Sequence, residues 1–407
     1  MTKEMRRFLL IALFMLILIS ALILLLVPKL DAFLSRSRGD GPRIGLGDDM
    51  YKAEVFETLE EGTVALGGRT QSYQVLRVEV LEGPHKGLIT EIDYGKRQIR
   101  PEGLTLEAGD QLLVNITQAP DGSVNAYFID FVRTKPLLWL LLAFALFSIL
   151  VGGRQGARGL LGLFLSLVVI LVYIIPGILD GKDPTVVTLI GGFLLLGITL
   201  YLIYGWVLKT HAAVLALLFT LVFTGLMINF FVDLTHLTGF GDEDILFVIQ
   251  QVDISINLRG LVLAGMLIGA MGALDDLVIT QVSVVFELHA ADPGLGLRSL
   301  YQRAMIVGQD HVSAMINTLF MAYAGAALPT LLLFSLSGQA FVELINLEFV
   351  AEEVVRIMAG SLGLIAAAPI STGIASLLVL YRGRILGLGQ YLQRYREDEQ
   401  LGDLDAK

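Results

Sequence analysis

The sequence predicts a polytopic α-helical membrane protein of about eight transmembrane helices, with a small extracytoplasmic β-barrel or sandwich domain inserted after the first helix. Three observations predict it. Of 407 residues, 55% are hydrophobic and 17% charged, against about 25% charged in a soluble protein. The missing charge is concentrated in apolar runs of roughly 18 residues or more, each long enough to cross a ~30 Å hydrocarbon core. Between the first and second run lies a stretch of soluble composition, residues 43–134.

Lys3, Arg6 and Arg7 precede the apolar run Phe8–Val27. A cleavable signal has a shorter core, about 7–15 residues, and a small-x-small cleavage site. The sequence PKLDAFLSRSRGDG that follows offers no such site. Residues 1–30 therefore read as an uncleaved anchor helix with a cytoplasmic N-terminus, a signal peptide being the alternative. In 43–134, VLRVEV (Val75–Val80) and NAYFIDFV (Asn125–Val132) alternate with a period near two, as half-buried strands do. Gly83-Pro84, Lys86-Gly87 and Asp121-Gly122 supply turns. Short strands at this spacing suggest an OB-like or SH3-like barrel. The sequon Asn115-Ile116-Thr117 falls on a strand-like stretch and reads as accidental.

The multi-helix part occupies 136–381, with spans expected near 136–152, 160–179, 185–207, 212–232, 259–287, 304–335 and 356–381, then a tail at 382–407. Asp183-Pro184-Thr185 looks like a helix cap followed by proline at the first helical position. With the N-terminus inside, Arg154, Arg158, Lys209, Arg298, Arg303 and the arginines of the tail fall on the cytoplasmic side. The other loops, LDGKDP, VDLTHLTGFGDEDILFVIQQVD and FVELINLEFVAEEV, hold one clear lysine, Lys182. The positive-inside rule thus gives eight spans with both termini cytoplasmic. Trp139, Tyr201, Tyr204, Trp206 and Tyr381 fall near expected interfaces, where amphipathic rings are favoured. His211 reads as a loop residue. The acidic outer loops, with Asp242, Glu243, Asp244, Glu343, Glu348, Glu352 and Glu353, read as solvated faces, the alternative being that they concentrate cations electrostatically.

Chemistry concentrates in the span near 259–287, which carries adjacent acids, Asp275 and Asp276, slightly past its midpoint. Each costs ~2.5–3.5 kcal/mol in a bilayer centre by insertion scales, so two cost roughly 5–7 kcal/mol unless paired, hydrated or protonated. Gly265, Gly269, Gly272, Asp276, Thr280, Ser283 and Glu287 recur every three or four residues and share one helix face. The glycines allow a neighbouring helix to approach closely, while Asp275 points about 100° away. On the next span, Asp310 and His311 lie about 9–10 Å in from the cytoplasmic end and Asp276 about 15–17 Å in. Gln309, Ser313 and Asn317 form a polar stripe there. Pro369, inside the last span, frees a backbone carbonyl.

These residues carry two readings. Asp275, Asp276, Thr280, Asp310, His311 and Asn317 line a polar cavity that binds a proton, a cation or a solute, the default for intramembrane ionisable groups. Alternatively the carboxylates are protonated or hydrogen-bonded glue between helices. An oxygen-rich set with one imidazole suits a hard divalent cation, but no spacing specifies a metal.

Without cysteine there are no disulfides, thiolate metal sites or cysteine nucleophiles. The net charge of −10 is unsuited to nucleic acid. GxSxG, a lysine-bearing P-loop and HExxH are all missing, so no enzyme activity and no cofactor are expected.

The order of parts resembles the YibE/F-like membrane proteins of bacteria. The resemblance is carried by GPHKG, LEAGDQLLV and YFIDFVR in the β domain, then GAMGALDD and GQDHVSAMINTLFMAYAGAALP. It implies a multi-pass protein of the bacterial plasma membrane, and it places Asp275, Asp276, Asp310, His311 and Asn317 in the family's motif segments. No biochemical activity comes with it.

The expectation is a transporter or permease for a small ion or solute, with Asp276 as principal binding or protonation residue. The alternative is a membrane-anchored scaffold or receptor whose β domain binds an envelope partner, and an intramembrane hydrolase ranks third. Expected partners are the lipid bilayer, a small ion or solute, and an envelope protein or a second copy of the chain.

Overall fold

The computed structural model describes residues 50–100, 103–118, 124–241, 245, 256–338 and 340–381. The expected anchor Phe8–Val27, the Asp121-Gly122 turn, the acids Asp242, Glu243 and Asp244, and the tail lie outside the described residues. The chain divides into two compact units, Arg38–Phe147 and Met1–Ser37 with Ser148–Lys407.

The first unit holds β1 (Met50–Leu66), β2 (Arg69–Val80), β3 (Ile89–Tyr94), β4 (Gln111–Gln118) and β5 (Val124–Phe131). They form one antiparallel sheet in the order β3-β2-β1-β4-β5. The long β1 serves two partners, pairing with β4 over Met50–Glu54 and with β2 over Ala53–Leu66. Bulges between Val55 and Glu57 and between Thr58 and Glu60 bend it beyond the point where the partners change. Alternation sends Val55, Leu76, Val78, Ile92, Leu112 and Val114 inward, each at most 2% exposed. Burying such a side chain contributes about 1.5–3 kcal/mol. Tyr94 on edge strand β3 meets Phe128 of the other edge strand, β5, edge-on at 4.9 Å, so the sheet curls back on itself.

The β2–β3 hairpin closes through Gly87 N to Val80 O at 2.8 Å and Val80 N to Leu88 O at 2.9 Å. Gly83 has φ 82°, and the Tyr51 ring occupies the space where its Cβ would stand. Buried Gln74 fastens the 103–110 loop, accepting from Leu106 N at 2.9 Å and donating to Glu61 at 2.8 Å.

The second unit is helical. Helix α1 (Thr134–Val169) enters it at Ser148, and a π-helical turn (Ile170–Ile174) leads to α2 (Ile175–Leu179). Then come α3 (Pro184–Tyr204), α4 (Leu208–Leu234), α5 (Leu258–Ala291), α6 (Leu297–Ala326), α7 (Leu328–Ser337), the single turn α8 (Phe341–Leu344) and α9 (Glu348–Leu380). Among the described residues, five helices are long and apolar enough to cross a membrane, or six if α6 and α7 count as one bent span.

Local chemistry sets the boundaries. Asp183 caps α3 by accepting from Val186 N at 3.0 Å, with proline at the first turn. Asn257 caps α5, accepting from Gly260 N at 3.0 Å. Glu348 opens α9 and ties it to the turn after α4, accepting from Thr238 N at 2.6 Å and Gly239 N at 2.8 Å.

The structure bears out one boundary and corrects others. Between the spans expected at 136–152 and 160–179, the helical stretch Thr134–Leu179 divides in two, as expected. It is broken at Gly153 (φ 57°, ψ −131°), where the chain turns sharply enough to press Gly156 against the Ser148 carbonyl. The span expected at 304–335 bends by 64° between α6 and α7. Pro329 has no N–H to extend α6, and its ring clashes with the carbonyl four residues back. Helix α9 begins well before residue 356 because its first turn is charged, which hydropathy does not register. His211 is no loop residue: it lies in the first turn of α4, its Nδ1 2.7 Å from the Tyr201 hydroxyl.

Helix α5 is the most buried of the five. Its Met266, Leu267, Leu274, Leu277 and Val278 are at most 1% exposed. Helix α9 packs against α4, α5 and α6 through a small-residue face of Gly360, Gly363, Ala367, Ala368, Ser371 and Ala375.

Two predictions follow from this packing. A side chain at Gly363 would overlap Thr224 of α4, whereas none of the surrounding atoms lies within 4 Å of one at Gly272. Gly363→Val is expected to destabilise the protein by about 1–3 kcal/mol and Gly272→Val far less, read as unfolding midpoints of the full chain in detergent. In the β unit, the Glu60 carboxylate accepts from the Tyr73 hydroxyl at 2.6 Å and from Lys96 Nζ at 2.9 Å. The Tyr73 hydrogen bond first, then Lys96, holds Glu60 below the ordinary carboxylate range. A lowered carboxylate contributes stability above its unfolded value of about 4.3, and the contribution is lost as pH falls through the folded value. Tyr73→Phe should therefore shallow the acid-side loss of stability in a pH series of the same midpoints.

Candidate functional site

The acid pair sits at the middle of α5, and the helix surface divides the two carboxylates. Asp275 lies four residues on from Met271, whose side chain occupies the gap left by Gly192 of α3. It is therefore on the α3 side of the helix, half-buried. Its Oδ1 is fully buried without a hydrogen-bond partner among the described residues. Tyr204, at the end of α3, lies within electrostatic reach of both Asp275 and Asp276, and Lys209 Nζ stands 5.7 Å from the Tyr204 ring. Nothing in the sequence pattern points to Tyr204 as a neighbour of the acid pair.

Asp276 is exposed, and so are Gly265, Gly269 and Gly272 on the same stripe; Thr280 is half-buried. At Gly272 the missing side chain faces open space. The stripe thus presents an exposed face of glycine and one carboxylate. Toward the other end it has neighbours. A Cβ at Gly269 would run into the Tyr323 hydroxyl of α6, and one at Gly265 would lie 4.0 Å from Arg356 Nη1 of α9.

Those two neighbours belong to a second feature. A cavity of about 840 Å³ opens between α6, α7, α8 and α9, with Tyr323, Glu352, Glu353 and Arg356 in its otherwise mainly apolar wall. Arg356 pairs with Glu352 at 2.6 Å and with Glu353 at 3.5 Å. Glu352 is 7% exposed, which corrects the view of this segment as a solvated loop. Phe320 and Ile357 also line a smaller cavity of about 490 Å³, with Ser313, Asn317 and Ser361 in its wall.

The expected site residues therefore fall into separate places. Asp275 and Asp276 both act electrostatically on Tyr204, Asn317 lines the smaller cavity, and the glycines of α5 border Tyr323 and Arg356. Asp310 is exposed and His311 half-buried on α6. Among the described residues no three His, Asp or Glu side chains gather into a metal-holding group, so the Asp, Asp, Asp, His, Asn set is not one ligand sphere.

The family of YibE/F-like proteins matches residues 140–380, more than half of the chain. The chain belongs to this family. The matched range holds every helix from α3 onward and both acid-bearing segments, GAMGALDD and GQDHVSAMINTLFMAYAGAALP. It leaves out GPHKG, LEAGDQLLV and YFIDFVR of the β unit, so the YibE/F-like match is a property of the helical part. Among curated proteins and among solved structures nothing matches the chain.

Exposure along the stripe can be read chemically, because the chain has no cysteine of its own. Single variants Asp276→Cys, Asp275→Cys and Leu274→Cys should react with a charged, water-soluble thiol reagent in that order, Leu274→Cys hardly at all. Equal rates for Asp276→Cys and Leu274→Cys would contradict this difference in exposure.

Proposed function

We propose that this YibE/F-like protein is a multi-pass protein of the bacterial plasma membrane that moves a small ion or solute. Asp276 is its principal proton- or cation-binding group, and Asp275 its partner. The observation that carries the reading is the acid pair itself. Two carboxylates stand on adjacent faces of the most buried of the long apolar helices, one on an exposed, glycine-lined face and the other with a buried oxygen that has no hydrogen-bond partner among the described residues. Such groups are costly in an apolar medium unless hydrated, protonated or bound to a cation. Side chains serving only as glue would be joined to a neighbouring helix, and no such bond to Asp275 Oδ1 exists among the described residues.

In this reading both termini are cytoplasmic. The β unit is an OB-like barrel on the outer side, supported by the curled five-strand order and by the distribution of Lys and Arg among the loops. Asn317, Ser313 and Ser361 line a polar stretch of the path, with Asp310 and His311 closer to its cytoplasmic end. A second reading, an envelope protein docking on the β unit, draws support from Phe56, Ile89 and Ile99, which are 62%, 57% and 73% exposed.

The test is thermal unfolding of the purified full chain across pH and a panel of monovalent and divalent cations. Wild type is compared with Asp275→Asn/Asp276→Asn. A ligand that binds only the folded state raises the midpoint by mass action, by about 2.7 kcal/mol of stability at a hundred times its dissociation constant. A cation- or pH-dependent shift in wild type that vanishes in the double variant is the expected result, and it names the ion to follow in liposomes. No shift under any condition, with the variant folding normally, would favour the β unit; removal of 43–134 should then abolish the biological effect while the Asp changes stay silent.

A further inference from the structure

The cavity between α6, α7, α8 and α9 plays no part in the acid-pair reading, and its chemistry is specific enough to name an occupant. Its volume, about 840 Å³, lies inside the roughly 300–1,000 Å³ range of small-molecule sites. Among the described residues, three charged side chains line it, one arginine and two glutamates. Arg356 is committed to Glu352 at 2.6 Å, within one turn of α9. Glu353 stands farther off, at 3.5 Å from Arg356 Nε, and its side chain is 39% exposed. The wall therefore carries one negative charge more than it neutralises.

Aromatic rings complete the lining. Phe334 of α7 and Phe349 of α9 stand 5.5 Å apart, tilted toward each other, and Phe320, Phe341 and Tyr323 also line the space. Ring faces attract a cation more strongly when water is excluded. An anion would meet the surplus carboxylate, and a neutral apolar guest would strip Glu353 of water without replacing the lost contact.

We propose that this cavity binds a lipophilic monocation, a molecule with an apolar body and a single delocalised or ammonium charge, held by Glu353 and the surrounding rings. Arg356 is then a positioning residue: it holds Glu352 at 2.6 Å and Glu353 at the longer 3.5 Å, and the two carboxylates share its one positive charge with the guest's. The glycines at 265 and 269 keep the α5 side clear for Arg356 and Tyr323. Binding in this sense does not depend on transport or on the acid pair.

Tetraphenylphosphonium and tetraphenylborate are nearly identical in shape and opposite in charge, which makes them the probes. Equilibrium dialysis of the full chain in a neutral detergent should give saturable binding of the phosphonium, with the borate at least about tenfold weaker. Glu353→Gln should weaken the phosphonium about tenfold, as expected for one desolvated charge contact, without moving the unfolding midpoint. Glu353→Asp should retain most of the affinity. Asp275→Asn/Asp276→Asn should leave phosphonium binding intact, which separates this site from the acid pair. Equal uptake of the two ions, uptake that never saturates, or unchanged affinity in Glu353→Gln would overturn the proposal.

Discussion

The helical unit hangs on one buried amide. Gln281 of α5 is 1% exposed and donates to the Ala304 carbonyl of α6 at 2.9 Å and to the Thr372 hydroxyl of α9 at 2.7 Å. Gly308 supplies the room, since a Cβ there would lie 2.8 Å from the amide nitrogen. An amide left unpaired in such a place costs about 1–3 kcal/mol, so the three helices are held at one level. Beyond that level α6 changes character. Its buried residues are Leu300, Ala304 and Gly308, and then only Leu319. Pinned at one end, the helix runs on to its break near Ala327 with little to press it inward. Both cavities between α6 and α9 lie along this loosely held half.

What was legible in the sequence is what periodicity and local chemistry express. The stripe from Gly265 to Thr280 could be read from spacing alone, as could the Asp183 cap and the inward alternation of Leu76, Val78 and Val80. The outer half of β1 was not legible, because Thr58–Thr63 is polar and stays a strand by pairing with β2 rather than by burial. Glu352 was misjudged for a related reason. Hydropathy counts charges singly, whereas Glu352 and Arg356, four residues apart, bury as a neutral pair.

The separation of the expected site residues has the same origin. Depth along two antiparallel helices sets how far apart residues lie along the axis, not which faces they share. Asp310 is near Asp276 in depth but exposed, two residues on from Gly308 and so on another face of α6 than the one packed against Gln281. The reach from Gly265 to Arg356 is invisible in sequence because the two are 91 positions apart and neither residue has a pattern that names the other. Similarly, Tyr204 faces the acid pair from a helix whose own pattern is uniformly apolar.

The glycine stripe makes one physical demand serve two places. At Gly265 and Gly269 the missing side chains leave room for the Arg356 guanidinium and the Tyr323 hydroxyl, polar groups that a leucine there would displace from the cavity wall. Close to Asp276 the same absence acts on hydration. Gly272 stands one turn away on the same face with open space before it. A bulky residue there would cover the carboxylate and carry its cost toward that of an unpaired buried charge, several kcal/mol even after relaxation. The apolar helix can hold an exposed Asp276 because its neighbours on that face have no side chains to seal it. Asp275, on the opposite flank, has Met271 one turn away filling the space against α3, which is why the two adjacent acids meet such different surroundings.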